Sequence, residues 1–256
     1  MLLHKVRVIL IITMAATVLA FTGLSVMAQE SPGKGLALEA AYTSKPVKLT
    51  GKLDDPAWRK AKPITFYSAS TGKEPISKTE ARVLWDDKYL YIGYKAYDKD
   101  IYSLFTQRDD NVCRDDALEV FFKTDTGKEP YYNFEVNVLG TVLDMFTIKK
   151  GAGGYDLHRW LHWDCPGLKI KTFVKGTLNN PYDIDEYWQL EVAIPFPSLP
   201  TLNGKTPKPG DKWEMLLSRY DWSVYLPDGV ELSTCNTVIT DDYHDASKWL
   251  PLTFTK

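Results

Sequence analysis

Cysteine is scarce in this chain, and the patterns missing around it argue against several functions at once. The three cysteines stand at 113, 165 and 235, with no CxxC, no CxxCH and no Cys/His pair at zinc-ligand spacing. A zinc module or an attached c-type haem lacks its ligands. The count is odd, so one pair can bridge and leave one thiol. No HExxH is present, because Arg-Trp-Leu separates His158 from His162. There is no internal repeat, no low-complexity tract and no pattern for a long helix. Neither sign of charge dominates: the formal net charge is -2, which argues against nucleic acid as a partner.

Long apolar runs are also missing, except at the N-terminus. Lys5 and Arg7 precede an apolar run from Val8 to about Phe21, and Val26-Met-Ala28 offers small residues for cleavage. Residues 1–28 read as a secretory signal peptide; the run is short for a transmembrane anchor, and no second one follows. No cysteine lies near the cleavage point, so no lipid site is expected. The mature protein is expected to be secreted or periplasmic and not embedded in a membrane. Residues 29–45, polar with glycine, read as a flexible lead-in, and 46–256 as one domain.

What is present is alternation. In 79–86, 89–98, 115–122 and 131–138 apolar residues recur at every second position: Val83 and Trp85; Leu90, Ile92, Tyr94 and Ala96; Leu118, Val120 and Phe122; Tyr132, Phe134, Val136 and Val138. That is the period of half-buried strands, here rich in β-branched and aromatic residues. The reading is four consecutive antiparallel strands. Further strands are expected at 46–50, 64–67, 141–148, 168–175, 187–194, 213–221, 230–240 (in part) and 249–254, with one or two helical turns after Asp54 carrying Trp58 inward. Ten or more short strands between turn signals predict an all-β fold, an antiparallel β-sandwich of jelly-roll type.

The opposite parity carries Ala117, Glu119 and Phe121 on one strand and Tyr131, Asn133, Glu135 and Asn137 on the next. Such a face is either a solvated back or a groove that hydrogen-bonds a polar ligand. Aromatics make up 13% of the chain, with 8 Trp and 15 Tyr; they supply either a sandwich core or exposed plates for sugar rings.

Taken in order, Gly51-Lys-Leu-Asp-Asp-Pro-Ala-Trp58, Ala81-Arg-Val-Leu-Trp-Asp-Asp-Lys-Tyr-Leu-Tyr91, Asp98, Asp115-Asp-Ala-Leu-Glu-Val-Phe121, Phe134-Glu-Val-Asn-Val-Leu-Gly140, Leu190-Glu-Val-Ala-Ile-Pro195 and His244-Asp-Ala-Ser-Lys-Trp-Leu-Pro251 resemble the family 9 carbohydrate-binding modules and their stand-alone relatives. The resemblance runs from about residue 46 to the end. It implies a jelly-roll sandwich that binds sugars without cleaving them, holding the reducing ends of glucans and xylans between two tryptophan plates, with structural calcium. One plate position falls on or beside Cys113, which is not aromatic, and the other on Tyr243. The acidic pocket residue falls on Glu119, and an arginine of the family falls on Glu135, reversed in charge. Trp160, Trp163 or Trp222 is a candidate replacement for the missing plate.

The resemblance therefore implies an exported, non-catalytic protein taking part in polysaccharide capture and degradation, with a poly- or oligosaccharide as partner. The candidate ligand-binding residues are Tyr243, Glu119, Asn137, Arg219, Glu135 and Trp222. Arg219 shares parity with Trp213, Met215 and Leu217, and a buried unpaired charge is costly. It needs either an ion pair with Glu119 or Asp221, or sugar hydroxyls. Loop acids at 54, 55, 86, 87, 98, 100, 109 and 110 suit calcium or turn chemistry, with Asp98 the first choice as metal ligand. Two readings stand beside the binding one: a glycoside hydrolase using the carboxylates of the strand face, and a haem or redox sandwich using Met145, Met215 and the histidines.

Overall fold

Period-2 alternation places most strand ends within one or two residues of where they are found. The computed structural model describes residues 36–151 and 157–256, with the backbone alone for 157 and 158. The expected signal peptide lies outside the described residues, as does the side chain of His158. Thirteen strands form: β1 (Leu38–Tyr42), β2 (Ile64–Thr65), β3 (Tyr67–Ser68), β4 (Thr79–Trp85), β5 (Tyr89–Tyr97), β6 (Ala117–Lys123), β7 (Tyr131–Asn137), β8 (Val142–Thr147), β9 (Lys169–Lys175), β10 (Tyr187–Pro195), β11 (Lys212–Trp222), β12 (Val230–Thr234) and β13 (Leu250–Thr255). Among the described residues, no helix is long and apolar enough to cross a membrane.

Hydrogen-bonded neighbours run β8-β7-β6-β11-β13-β1-β4-β5-β10-β9, with β12 and β3 beside β11 and β2 beside β4. The path curls into a sandwich. Leu190 and Val192 of β10, Ile92 and Tyr94 of β5, Val120 and Phe122 of β6 and Leu217 of β11 share one buried cluster. The Tyr94 hydroxyl donates across it to the Glu119 carbonyl at 2.7 Å. Phe122 stacks on Trp213, with ring centres 5.4 Å apart, so the aromatic content is largely core, as offset stacking favours.

Three expectations change. The four consecutive strands are two hairpins in different halves of the sandwich: β4 pairs with β5 and β6 with β7, and residues 98–116 cross between them. That crossing is tied down by buried carboxylates. Asp115, for example, accepts from Ser103 Oγ and from the amides of Leu104 and Phe105, each at 2.9 Å.

The lead-in is not flexible over 38–42. It is β1, and both of its pairings, with β13 and β4, are parallel in an otherwise antiparallel sheet. Leu38 and Ala40 are buried there; alanine has weak strand propensity, so tertiary pairing decides this segment.

No strand forms at 46–50. Its amides go to carboxylates instead of a ladder: Lys48 N donates to Asp55 at 2.9 Å and Thr50 N to Glu191 at 2.7 Å. Asp55, one residue later than expected, caps the 3-10 turn Pro56–Lys60 that buries Trp58.

Candidate functional site

The outward face of β8-β7-β6-β11 is covered, not solvated. Strand register fixes which side chains share it. Glu119 stands directly opposite Glu135, and Phe121 opposite Asn133. Ser218 of β11 flanks Glu119, and Leu143 and Met145 of β8 flank Glu135 and Asn133. Glu119 is 2% exposed, Glu135 6%, and Asn133 and Asn137 are fully buried. The cover is made by the 3-10 turn Val112–Arg114 and the segment 241–244.

Between cover and face lies a cavity of about 270 Å³, lined among others by Cys113, Glu119, Phe121, Glu135, Tyr220 and Tyr243. Its polar floor is only part-satisfied. Ser218 Oγ donates to Glu119 Oε2 at 2.8 Å, and Asn133 Nδ2 donates to Glu135 Oε1 at 3.1 Å. Burial, with the neighbouring Glu135 second, holds Glu119 well above the usual carboxylate range, and burial pushes Glu135 up to about 7. Two carboxyls side by side in low dielectric resist double ionisation.

Aromatic side chains form part of the walls. Tyr243 meets Phe121 and Tyr220 edge-on at 6.3 and 5.5 Å. Trp249 Nε1 donates to the Tyr243 carbonyl at 2.8 Å, and the Tyr131 hydroxyl bonds His244 Nδ1 at 2.7 Å. Burial drives His244 down to about 4, so it is neutral near pH 7.

Of the residues expected from sequence, Glu119, Glu135 and Tyr243 converge on this cavity, and Cys113 stands at its rim. The other three are engaged elsewhere. Asn137 donates to Asp115 and to the Phe105 carbonyl, both at 2.8 Å. Trp222 Nε1 donates to the Cys113 carbonyl at 2.8 Å, bracing the rim instead of presenting a plate. Arg219, with the opposite strand parity, points into the sandwich. Trp163 packs on Tyr132 and Phe134 in the core. Sequence reasoning missed Tyr220 and His244 as lining residues. Tyr220 was legible from its shared parity with Ser218; His244 was not, because a loop residue has no periodic signal.

Residues 49–253 match the family described as Carbohydrate family 9 binding domain-like. The chain belongs to that family.

Relatives of this family 9 domain are distant. Exoglucanase XynX of Acetivibrio thermocellus is 32% identical over 84 residues, a segment spanning 33% of this chain and 7% of that enzyme. A family 9 module from Caldicellulosiruptor kristjanssonii in complex with cellotriose superposes with a TM-score of 0.53 at 14% identity, covering 85% of this chain and 93% of that one. Its glucose complex gives 0.54 at 14% identity, covering 85% and 95%. A structure from Bacteroides uniformis gives 0.60 at 13% identity, covering 85% and 98%. At such identities the likeness establishes the fold, and the site must be argued from its own residues.

A second polar centre of the family 9 domain lies inside the sandwich. Arg219, fully buried, pairs with Asp98 at 2.8 Å and with Asp221 at 3.2 Å. It also donates to Thr79 Oγ1 and the Tyr97 carbonyl. Asp116 completes a triad of buried acids whose oxygens lie within 4.8 Å of one another. Burial raises Asp98 to about 7 against the pull of Arg219, and burial, followed by Asp98, holds Asp116 well above the usual carboxylate range. Three carboxyls face one guanidinium, and beyond its ion-pair contact with Arg219 neither oxygen of Asp221 accepts a hydrogen bond. That excess of hard oxygen donors fits a divalent cation such as calcium.

Proposed function

We propose that this family 9 domain is a non-catalytic carbohydrate-binding protein, exported and serving polysaccharide capture and degradation, that seats one sugar residue in the cavity over Glu119 and Glu135. The observation that carries the reading is the convergence of two buried carboxyls and the rings of Phe121, Tyr220 and Tyr243 on one cavity. Rings give apolar sugar faces a surface, and carboxyl oxygens accept from hydroxyls. The cavity is at the small end for ligand sites, which favours a chain terminus over a long stretch of chain. The cellotriose and glucose complexes of the Caldicellulosiruptor module support the same class of ligand. Calcium, held by Asp98, Asp116 and Asp221, would neutralise the buried charge beneath β11 and stabilise the fold.

A hydrolase reading is weaker on geometry. The two carboxyls stand side by side on adjacent strands, whereas glycosidases flank the scissile bond with theirs. Isothermal titration with cello-, xylo- and chito-oligosaccharides, with and without calcium, tests the proposal. Saturable binding abolished by Glu119→Ala in a folded variant is expected. A flat response across the panel would overturn it.

A further inference from the structure

The cavity is rich in carboxyl groups. Besides Glu119 and Glu135, its lining includes Asp109, Asp241 and Asp242, and no lysine or arginine among the described residues. Lys150 is paired with Asp242 of the rim. His244 is neutral near pH 7 because burial lowers it to about 4. Each floor carboxyl has one oxygen held by a neighbour, Glu119 by Ser218 and Glu135 by Asn133. The second oxygen of each has no donor among the described residues, although both side chains are more than nine-tenths buried. The rings of Phe121, Tyr220 and Tyr243 line the same cavity.

Cavity-lining carboxyls with an oxygen free of protein donors, set beside aromatic rings, form a receptor for a cation. The oxygens supply charge-assisted hydrogen bonds, and the apolar aromatic lining lowers the local dielectric that strengthens them. A neutral hydroxyl satisfies the oxygens but leaves the charge of the pair uncompensated. An ammonium group donates three hydrogen bonds and neutralises it. We infer that the cavity selects a sugar residue bearing a free, protonated amine, seated with its ammonium between Glu119 and Glu135. The inference rests on the sugar-binding reading above and specifies its ligand class. The raised carboxyls fit it, because burial favours a singly ionised pair, whose one negative charge a seated ammonium neutralises.

The experiment is titration of the full chain, with and without calcium, with three trisaccharides: fully deacetylated chitotriose, its N-acetylated form and cellotriose. The wild-type chain is expected to bind the deacetylated trisaccharide about tenfold tighter or more than either neutral one, the scale of a desolvated charge pair. Glu135→Gln and the double variant with Glu119→Gln, near-isosteric and checked for folding by thermal melt, are expected to abolish that preference. Equal binding of all three sugars overturns the amine selectivity and leaves the sugar-binding reading intact. A preference that persists in the double variant also overturns it, since the attraction then comes from the protein's general negative charge. Failure of every sugar to bind overturns both readings.

Discussion

Trp58 Nε1 donates to Glu191 Oε1 at 2.7 Å, across 133 residues of chain. The other oxygen of Glu191 accepts from the amides of Thr50 and Gly51 at 2.7 and 2.5 Å. One fully buried carboxylate on β10 thus replaces the strand ladder that residues 46–50 do not form. Glu191→Gln turns an acceptor-only group into one that presents N–H to these donors. A loss of about 1–3 kcal/mol is expected, the cost of leaving buried donors unmet. Urea unfolding monitored by tryptophan fluorescence measures it, and a change below the precision of that experiment would contradict the role given to Glu191.

Gly93 on β5 leaves room for the same tryptophan. A Cβ there would lie 2.3 Å from Leu53 Cδ2 and 2.9 Å from Trp58 Cη2. Gly93→Ala therefore forces the turn carrying Trp58 off the sheet. The expected cost is about 1–3 kcal/mol, typical of overpacking, read as a lower Tm; an unchanged or raised Tm would show that the turn yields freely.

Removing Arg219 leaves three buried acids without a cation. Arg219→Met is expected to destabilise by about 3–5 kcal/mol, as when one partner of a buried pair is deleted. If the triad holds calcium, millimolar calcium recovers part of the loss, measured as a Tm shift that chelator reverses.

The pH dependence without divalent ions has a definite sign. Asp98 and Glu135 are both raised to about 7, each chiefly by burial, from ordinary values of 3.8 and 4.5. Their folded forms hold protons that the unfolded chain has released. This contribution to stability is full below about pH 4 and is lost as pH rises through about 7. Melts in chelator across that window are expected to show Tm falling from these two groups, with the slope reduced in Glu135→Gln. An identical slope in the variant would exclude Glu135 as a source.

All three thiols are free. Burial pushes each to about 12, and at Cys113 the nearby Glu135 and Glu119 add to it. The thiolate is the reactive form, so Ellman's reagent at neutral pH is expected to label the folded protein slowly and all three sites promptly in urea. Fast labelling of Cys113 in the native state would mean its surroundings are less apolar and less acidic than described.

The strands and the sandwich were legible in the sequence because period-2 alternation is local: each half-buried strand declares its own two faces, and Glu119 and Glu135 could be assigned to one face by counting. Tyr243 was placed by its resemblance to a family position. Arg219 shows where counting stops. Its parity identified a buried arginine, but its partner Asp98 lies 121 residues away, and no local pattern links the two. The same holds for Asn137 and Trp222, whose side chains brace loops instead of lining the cavity.

The sequence by itself determined which residues alternate, and therefore the all-β architecture and the chemistry of each strand face. Only the tertiary structure decided that this polar face would be roofed by loops, that β1 would enter the sheet in parallel, and which carboxyls would share a cavity. Alternation depends on neighbours two residues apart, whereas roofing and charge pairing depend on segments brought together by the packing of the two halves of the sandwich.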